Sequence, residues 1–211
     1  ADLKYKMQLR GRNGEPQEAP AWLGLTADAI DRDDVATSQI DNVWLPLCGA
    51  FTGTPQDGLK QTVLLHSSKD SQLVDAMLAN LSGESTMKEF KPSGVNYNLA
   101  IRLTGKFKTA FPDGAPQDAK SEDEKKDEAK PDESKAGDSL KETRSDNTVV
   151  LFGDADLLFD PFTIRRIDSP FGALQMPMNA NLNLAQNIIE QMTGDNNLIA
   201  VRSRATLSRP F

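Results

Sequence analysis

The sequence predicts an α/β fold: an open, mostly parallel, doubly wound sheet with helices on both faces. Three observations near the carboxyl end indicate this fold. An apolar run at 149–152 stops at Gly153-Asp154, which is typical of a buried strand. The segment 182–192 has the apolar spacing of an amphipathic helix, and the apolar run 198–201 follows it as a second strand. Strand, helix and strand in this order form the β–α–β unit from which doubly wound sheets are built.

The predicted helix over 182–192 has a defined apolar face and defined ends. Asn181 or Asn183 is expected to cap its start, and Gly194 is expected to end it in the left-handed conformation. We expect the apolar face to pack on the sheet. Its members lie at positions 182, 185, 188, 189 and 192.

Similar patterns predict the elements that come earlier. In chain order they are a weakly alternating strand in 2–10, an apolar strand in 43–51, a short buried strand at 62–66, a helix over 73–81 and a half-exposed strand at 97–107. Pro46 cannot donate a ladder hydrogen bond, so the second of these strands is expected to be an edge strand or to be bulged there. The stretch 161–177 is too apolar for a free loop, and we expect it to pack on the sheet or against a partner.

Composition divides the chain into three parts. Residues 1–115 are expected to be the first part of the α/β domain, and residues 146–211 its closing β–α–β unit. Between them, residues 116–145 consist mainly of Lys, Glu, Asp, Ala, Ser and Pro. Such a segment cannot bury enough apolar surface to offset its ordering entropy, so we expect a disordered insertion.

Charge and cysteine content exclude several classes of protein. The formal net charge of −7 argues against nucleic acid or an anionic membrane surface as a partner. The single cysteine, Cys48, excludes an intramolecular disulfide framework and a multi-cysteine zinc site. The chain begins at Ala1 without an initiator Met or a signal-peptide core, so we expect it to be a piece of a longer parent protein.

Acidic residues cluster just after the predicted strand at 149–152. Asp154, Asp156 and Asp160 offer hard oxygen ligands of the kind that Ca²⁺ and Mg²⁺ prefer, and ligands gather at strand ends in open α/β sheets. Asp154 and Asp156 are therefore candidate ligand-binding residues, with the metal unknown. The alternative is that Asp154 fixes the turn and Asp156 caps the short segment that follows.

His66, the only histidine, is the third candidate ligand-binding residue because it lies where a strand gives way to a loop. A hydrogen-bonded structural role is the alternative. Nothing in the sequence places Cys48 beside His66, so Cys48 is interpreted as a small buried thiol. Trp22 is interpreted as a core or interface anchor. No catalytic residue and no cofactor are predicted, and the chain is not expected to be an enzyme.

Several segments, taken in order, resemble the extracytoplasmic domain of gliding-motility-type ABC transporter auxiliary proteins. No single segment is specific; their order carries the resemblance, from about Pro20 to Arg204. They are Pro20-Ala-Trp22-Leu23, Leu47-Cys-Gly49-Ala50, LTGKFKTAFP at 103–112 followed by the charged insertion, VVLFGDAD at 149–156, Asn181-Leu-Asn183 and LIAVRSR at 198–204.

The resemblance implies a flavodoxin-like or glutamine-amidotransferase-like sheet. Because the amino-terminal part of the usual domain is missing, the sheet is either incomplete or a separately folding half. The resemblance also implies a non-enzymatic accessory domain at the extracytoplasmic, periplasmic face of the bacterial inner membrane. Its partners would be an ABC transporter permease or other membrane subunits. A membrane anchor is expected just after Phe211, while the oligomeric state is not predicted. The alternative function is a metal- or small-ligand-binding domain that uses the strand-end aspartates. This alternative includes a hydrolase-like activity.

Overall fold

The computed structural model describes residues 1–11, 14–80, 88, 90–112, 140–170 and 172–194. The strands are β1 Lys6–Arg10, β2 Pro16–Thr26, β3 Asn42–Pro46, β4 Leu59–His66, β5 Asn98–Gly105, β6 Asn147–Phe152, β7 Ile164–Ser169 and β8 Gly172–Pro177. The helices are α1 Ala76–Asn80, α2 Asp160–Thr163 and α3 Asn181–Met192, with one 3₁₀ turn at Ala27–Ala29. Among these residues, no helix has both the length and the apolar character needed to cross a membrane.

The described strands form three antiparallel sheets. The first has the order β1-β2-β3, the second β4-β5-β6, and the third is the hairpin β7-β8. Every pairing within them is antiparallel. The prediction of an open, mostly parallel sheet with helices on both faces, flavodoxin-like or glutamine-amidotransferase-like, is therefore wrong.

The pairing of β6 explains the error. The run Val149–Phe152 was read as a fully buried strand, but Asn147 and Val149 are exposed while Thr148 and Val150 are half-buried. Such alternation is typical of an antiparallel strand with one solvated face. β6 pairs antiparallel with β5, with Leu151 opposite Ile101, and two antiparallel neighbours do not require a crossover helix between them. A short apolar run does not reveal its neighbour's direction, because parallel and antiparallel strands can carry the same residues.

The hydrophobic core takes residues from both three-stranded sheets and from α3. Ile30, in the loop after β2, forms an isolated bridge with Leu65 of β4 and joins the two sheets. The prediction for Pro46 is confirmed, because it ends β3 at the edge of the first sheet. The largest fully buried apolar side chains are Leu25, Val43, Leu45, Leu64, Leu65 and Leu184.

Helix α3 exists where it was predicted, and Gly194 follows it with φ of +84° as expected. Its start differs, because the N-cap residue is Ala180, and Oδ1 of the preceding Asn179 accepts a 3.1 Å hydrogen bond from the backbone N–H of Asn181. The buried face also differs from the predicted apolar face, since Ile189 and Met192 are exposed. The residues that α3 buries are Asn181, Leu184, Asn187 and Ile188. The strand predicted at 198–201 lies outside the described residues.

The stretch 161–177, which was predicted to pack on the sheet or against a partner, contains a regular hairpin. β7 and β8 pair along their length, with Ile167 opposite Leu174. Apart from the half-buried Ile164, every described residue of the two strands is exposed. The hairpin is therefore an arm on the surface of the described chain.

The three-part division of the chain stays a prediction. Most of the predicted insertion, residues 116–139, lies outside the described residues. Its last residues are described, and two backbone hydrogen bonds join them to the end of the preceding segment, Thr109 N–H to Lys141 O at 2.9 Å and Thr143 N–H to Phe107 O at 2.9 Å.

Candidate functional site

Asp154 lies in the turn directly after β6 and is 8% exposed. Its Oδ1 accepts a 2.7 Å hydrogen bond from the backbone N–H of Asp156, which closes the turn. Its Oδ2 is buried and has no hydrogen-bond partner among the described residues. Asp156 is exposed. Asp154 therefore shapes this turn through one oxygen and leaves the other unsatisfied.

The turn after β6 packs tightly against the loop after β3. The backbone N–H of Gly49 donates a 2.7 Å hydrogen bond to the carbonyl oxygen of Gly153. A Cβ atom on Gly153 would lie 2.3 Å from the carbonyl oxygen of Gly49, so this approach requires glycine. The contact brings Cys48 into the electrostatic environment of Asp154.

Burial sets the protonation of both side chains. It raises the pKa of Asp154 to about 6, and the negative charge of Asp156 adds to the rise while the backbone hydrogen bond from Asp156 opposes it. Burial also raises the pKa of the Cys48 thiol to about 12, with the Asp154 carboxylate adding to the effect. A thiol that stays protonated at neutral pH is a poor nucleophile. Cys48, which was interpreted as a small buried thiol, is half-buried.

His66, at the end of β4, lines a pocket that is separate from the turn at Asp154. Its Nδ1 lies 2.8 Å from the carbonyl oxygen of Ser67 and 3.5 Å from Nδ2 of Asn96. The pocket has a volume of about 330 Å³, and neither Asp154 nor Asp156 contributes to its wall. The described residues that line it with His66 are Lys4, Tyr5, Asp28, Ser68, Lys69, Asp70 and Asn96.

The structure therefore does not gather the three predicted site residues into one pocket. Within the part of the chain that is described, no group of three or more His, Cys, Asp or Glu side chains is placed to hold a metal ion.

A second surface feature, which the sequence analysis did not identify, is an apolar groove on the outer face of the first sheet. The groove has a volume of about 370 Å³. It is lined by Met7, Leu9, Arg10, Trp22, Trp44, Pro46 and Phe162, and these seven residues are called the groove residues below. Its walls include both tryptophans of the chain, and among its described lining residues Arg10 is the charged one.

The register of β2 and β3 creates this groove. Trp22 lies opposite Pro46, and Gly24 lies opposite Trp44, so these side chains share the outer face. The alternate residues of both strands point into the core, as the buried Leu23 and its partner Leu45 show. The alternation of the two strands thus places leucine inside and tryptophan outside.

Gly24 and Phe162 complete the shape of the groove. Gly24 has no side chain, and a Cβ atom there would lie 3.3 Å from Cγ of Met7, so the glycine lets Met7 lie across the sheet. Phe162, on α2, packs edge-to-face on Trp22 with ring centroids 5.1 Å apart. The exposed Phe159 packs in turn on Phe162 at 5.3 Å. Aromatic rings therefore continue from the groove onto α2.

The sequence contains a pattern that predicts the groove. Trp22-Leu23-Gly24-Leu25 and Val43-Trp44-Leu45-Pro46 both alternate with the period of a strand. Reading the second segment as one apolar run concealed its outward-facing tryptophan. The interpretation of Trp22 as an anchor fits its position at the groove, where it is half-buried.

The family model described as ABC-type uncharacterized transport system matches residues 1–188. Searches of curated proteins and of solved structures found no match.

Proposed function

Because this chain belongs to the family described as ABC-type uncharacterized transport system, of which it matches residues 1–188, we propose that it is a non-enzymatic accessory domain that acts through protein–protein contacts. The family match confirms the resemblance to ABC transporter auxiliary proteins. An auxiliary role in an ABC-type transport system is thus established at the level of the family. The mode of action is our proposal.

The apolar groove is the observation that supports contact with another protein. Aromatic residues, Met and Arg are enriched at protein interfaces, and Trp and Arg are frequent among the residues that dominate binding energy. The groove residues include both Trp22 and Trp44, together with Met7 and Arg10. An apolar concavity of this composition on a surface is typical of a binding site.

We propose that the partners are the permease or other membrane subunits of the same transport system, and that contact occurs at the extracytoplasmic, periplasmic face of the inner membrane. The family supports a partner within the transport system. The location follows from the sequence resemblance alone, and the link to gliding motility has no further support.

Affinity purification from native membranes tests this proposal. The tagged chain should recover permease and ATPase subunits, identified by mass spectrometry. The double variant Trp22→Ala/Trp44→Ala should lose them. The control variant Ile189→Ala/Met192→Ala changes two apolar residues exposed on α3 and should keep them. If the unchanged chain recovers no transport subunit, the proposal fails.

A second proposal is ligand binding at the strand-end residues Asp154 and Asp156, and it rests on one observation. His66, the third candidate, lines a separate pocket. The buried Oδ2 of Asp154 has no partner among the described residues, and a cation or a hydrogen-bond donor would satisfy it. Titration calorimetry with Ca²⁺ and with Mg²⁺ tests the metal version. Binding heat that disappears in Asp154→Asn would support it, and the absence of heat with both ions would remove it.

A further inference from the structure

In the part of the chain that the structure describes, the edge of the first sheet beside the groove is unpaired. β1 is the terminal strand in the order β1-β2-β3, and no described strand pairs with its outer side. The opposite edge is closed, because the Asn181 side chain binds both backbone groups of Trp44 in β3, accepting from the N–H at 2.9 Å and donating to the carbonyl at 2.8 Å. An unpaired strand edge is a template for a further strand.

The open edge and the groove are adjacent parts of one surface. Met7 and Leu9, both on β1, line the groove. A strand paired with β1 would present alternate side chains on the same face as these two residues. Main-chain hydrogen bonds would then supply affinity, and the groove would select apolar side chains at every second position.

The charges on β1 determine what kind of strand can pair with its outer side. The strand reads Lys-Met-Gln-Leu-Arg and has no acidic residue. Lys6 is neutralised by Glu18 of β2 at 2.7 Å, whereas no ion pair among the described residues includes Arg10. Arg10 is therefore an available cation at one end of the groove.

The same charges oppose pairing with a second copy of this chain. If all five residues of β1 pair antiparallel with another β1, Lys6 of each copy lies opposite Arg10 of the other. If the two strands run parallel and in register, each cation lies opposite the same residue of the other copy. Like charges directly opposite each other destabilise a strand pair, so an acidic partner fits better than a second copy.

We propose that β1 accepts an extended peptide segment of a membrane subunit by strand addition, with apolar side chains at alternate positions in the groove and an acidic side chain beside Arg10. This inference rests on the proposed function for the identity of the partner. The groove residues give the specificity, and Arg10 sets the sign of the preferred charge.

Synthetic probes test the inference on the full 211-residue chain. Three blocked peptides of about seven residues, a typical strand length, would carry Val at alternate positions with Glu, Lys or Ser between them. Because both tryptophans of the chain line the groove, intrinsic fluorescence reports on this site. The Glu probe should bind roughly five- to ten-fold more tightly than the Lys probe, since attraction to Arg10 replaces repulsion.

Charge reversal and amide exchange complete the test. Arg10→Glu should invert the preference of the probes, while Arg144→Glu, an exposed position outside the groove with the same change in net charge, should leave it unchanged. The Glu probe should slow amide hydrogen exchange in Lys6–Arg10. Equal binding of the Glu and Lys probes, binding without protection of β1, or no binding of any probe would overturn the inference.

These outcomes are separate from those of the membrane experiment. The probes report on strand addition even if no transport subunit is recovered. Recovery of transport subunits, with their loss in the tryptophan variant, would in turn support the proposed function even if the probes show that β1 is not the contact.

Discussion

Helix α3 packs on the body of the protein through buried polar side chains as well as apolar ones, whereas half-buried aromatic side chains line the groove on the outer face of the first sheet. On α3, Asn181 is fully buried and makes three hydrogen bonds through its side chain, two to Trp44 and one to the carbonyl oxygen of Leu157. Asn187 donates a 3.0 Å bond to the carbonyl oxygen of Ala36. Two apolar residues of the same helix, Ile189 and Met192, are left outside.

A buried ion pair extends this polar interface. The Arg102 side chain of β5 binds the carboxylate of Asp34 through both of its terminal nitrogens, and one of these also contacts Gln191 of α3. The Arg102 and Asp34 side chains are largely buried. The pair joins the second sheet, the loop after the 3₁₀ turn and α3.

The contrast teaches that residue polarity does not by itself tell inside from outside in this protein. Buried polar groups are tolerated where their hydrogen bonds are made, and they fix the position of α3. The half-buried aromatic groups of the groove pack on one another and still line an open concavity. We therefore assign the polar interface to stability and the apolar groove to binding, and each prediction below tests one side of that assignment.

The largest expected effect is at Asn181. Asn181→Ala should lower the free energy of unfolding by roughly 3–5 kcal/mol, because it leaves two groups of Trp44 and one of Leu157 without partners and each unsatisfied group costs about 1–3 kcal/mol. Urea denaturation measures the change. Asn183→Ala, at an exposed position of the same helix, should change stability little. Equal effects would mean that α3 does not dock through Asn181.

Two adjacent isoleucines of α3 should behave differently. Ile188 is 5% exposed and Ile189 is 61% exposed. Ile188→Ala should lower the free energy of unfolding by roughly 2–5 kcal/mol through loss of core packing. Ile189→Ala should have an effect within about 0.5 kcal/mol, as is usual for surface positions. Thermal and urea denaturation of both variants would show the difference, and a greater loss at Ile189 would reverse the face assigned to the helix.

At Asp154 we expect a smaller effect on the free energy of unfolding, and one that depends on pH. Its pKa is raised to about 6 in the folded protein, so the folded state holds this proton more tightly than the unfolded state. The protonated Asp154 side chain therefore stabilises the folded state at low pH, and this contribution is lost as pH rises from about 4 to about 6. Asp154→Asn keeps an oxygen that can accept from the Asp156 N–H and removes the buried charge. The variant should therefore gain stability relative to the unchanged chain as pH rises.

Unfolding midpoints measured across this pH range for the unchanged chain, Asp154→Asn and the exposed control Asp57→Asn would test the effect. Because the other titrating groups are shared, the difference between Asp154→Asn and the unchanged chain isolates Asp154. Parallel pH profiles for these two would contradict the account of a buried, unsatisfied carboxylate.

Sequence patterns predicted elements better than their arrangement. The helix ended by Gly194 and the strand corresponding to β5 were predicted because periodicity and turn residues act locally. Strand direction was missed because the apolar run in β6 pairs with β5, a partner distant in sequence. The buried face of α3 was missed because Asn181 is buried through bonds to β3, about 137 positions away, which no local pattern contains.

The candidate sites show the same limit. Asp154 was found because a polar residue follows an apolar run, but its burial depends on the contact between Gly49 and Gly153. The groove was missed because it requires the register of β2 with β3 and the placement of Phe162 beside Trp22. The burial of Asp154 and the shape of the groove both depend on tertiary contacts, which local patterns in a single sequence do not reveal.

Site-specific photo-crosslinking in native membranes tests most directly whether the groove is the binding surface. A benzophenone amino acid at Leu9 places the reactive group at the groove, and the same amino acid at Ile189 places it on the exposed apolar side of α3. The account predicts a covalent adduct between the Leu9 position and a membrane subunit of the transport system, with none from Ile189. An adduct from Ile189, with none from Leu9, would contradict it.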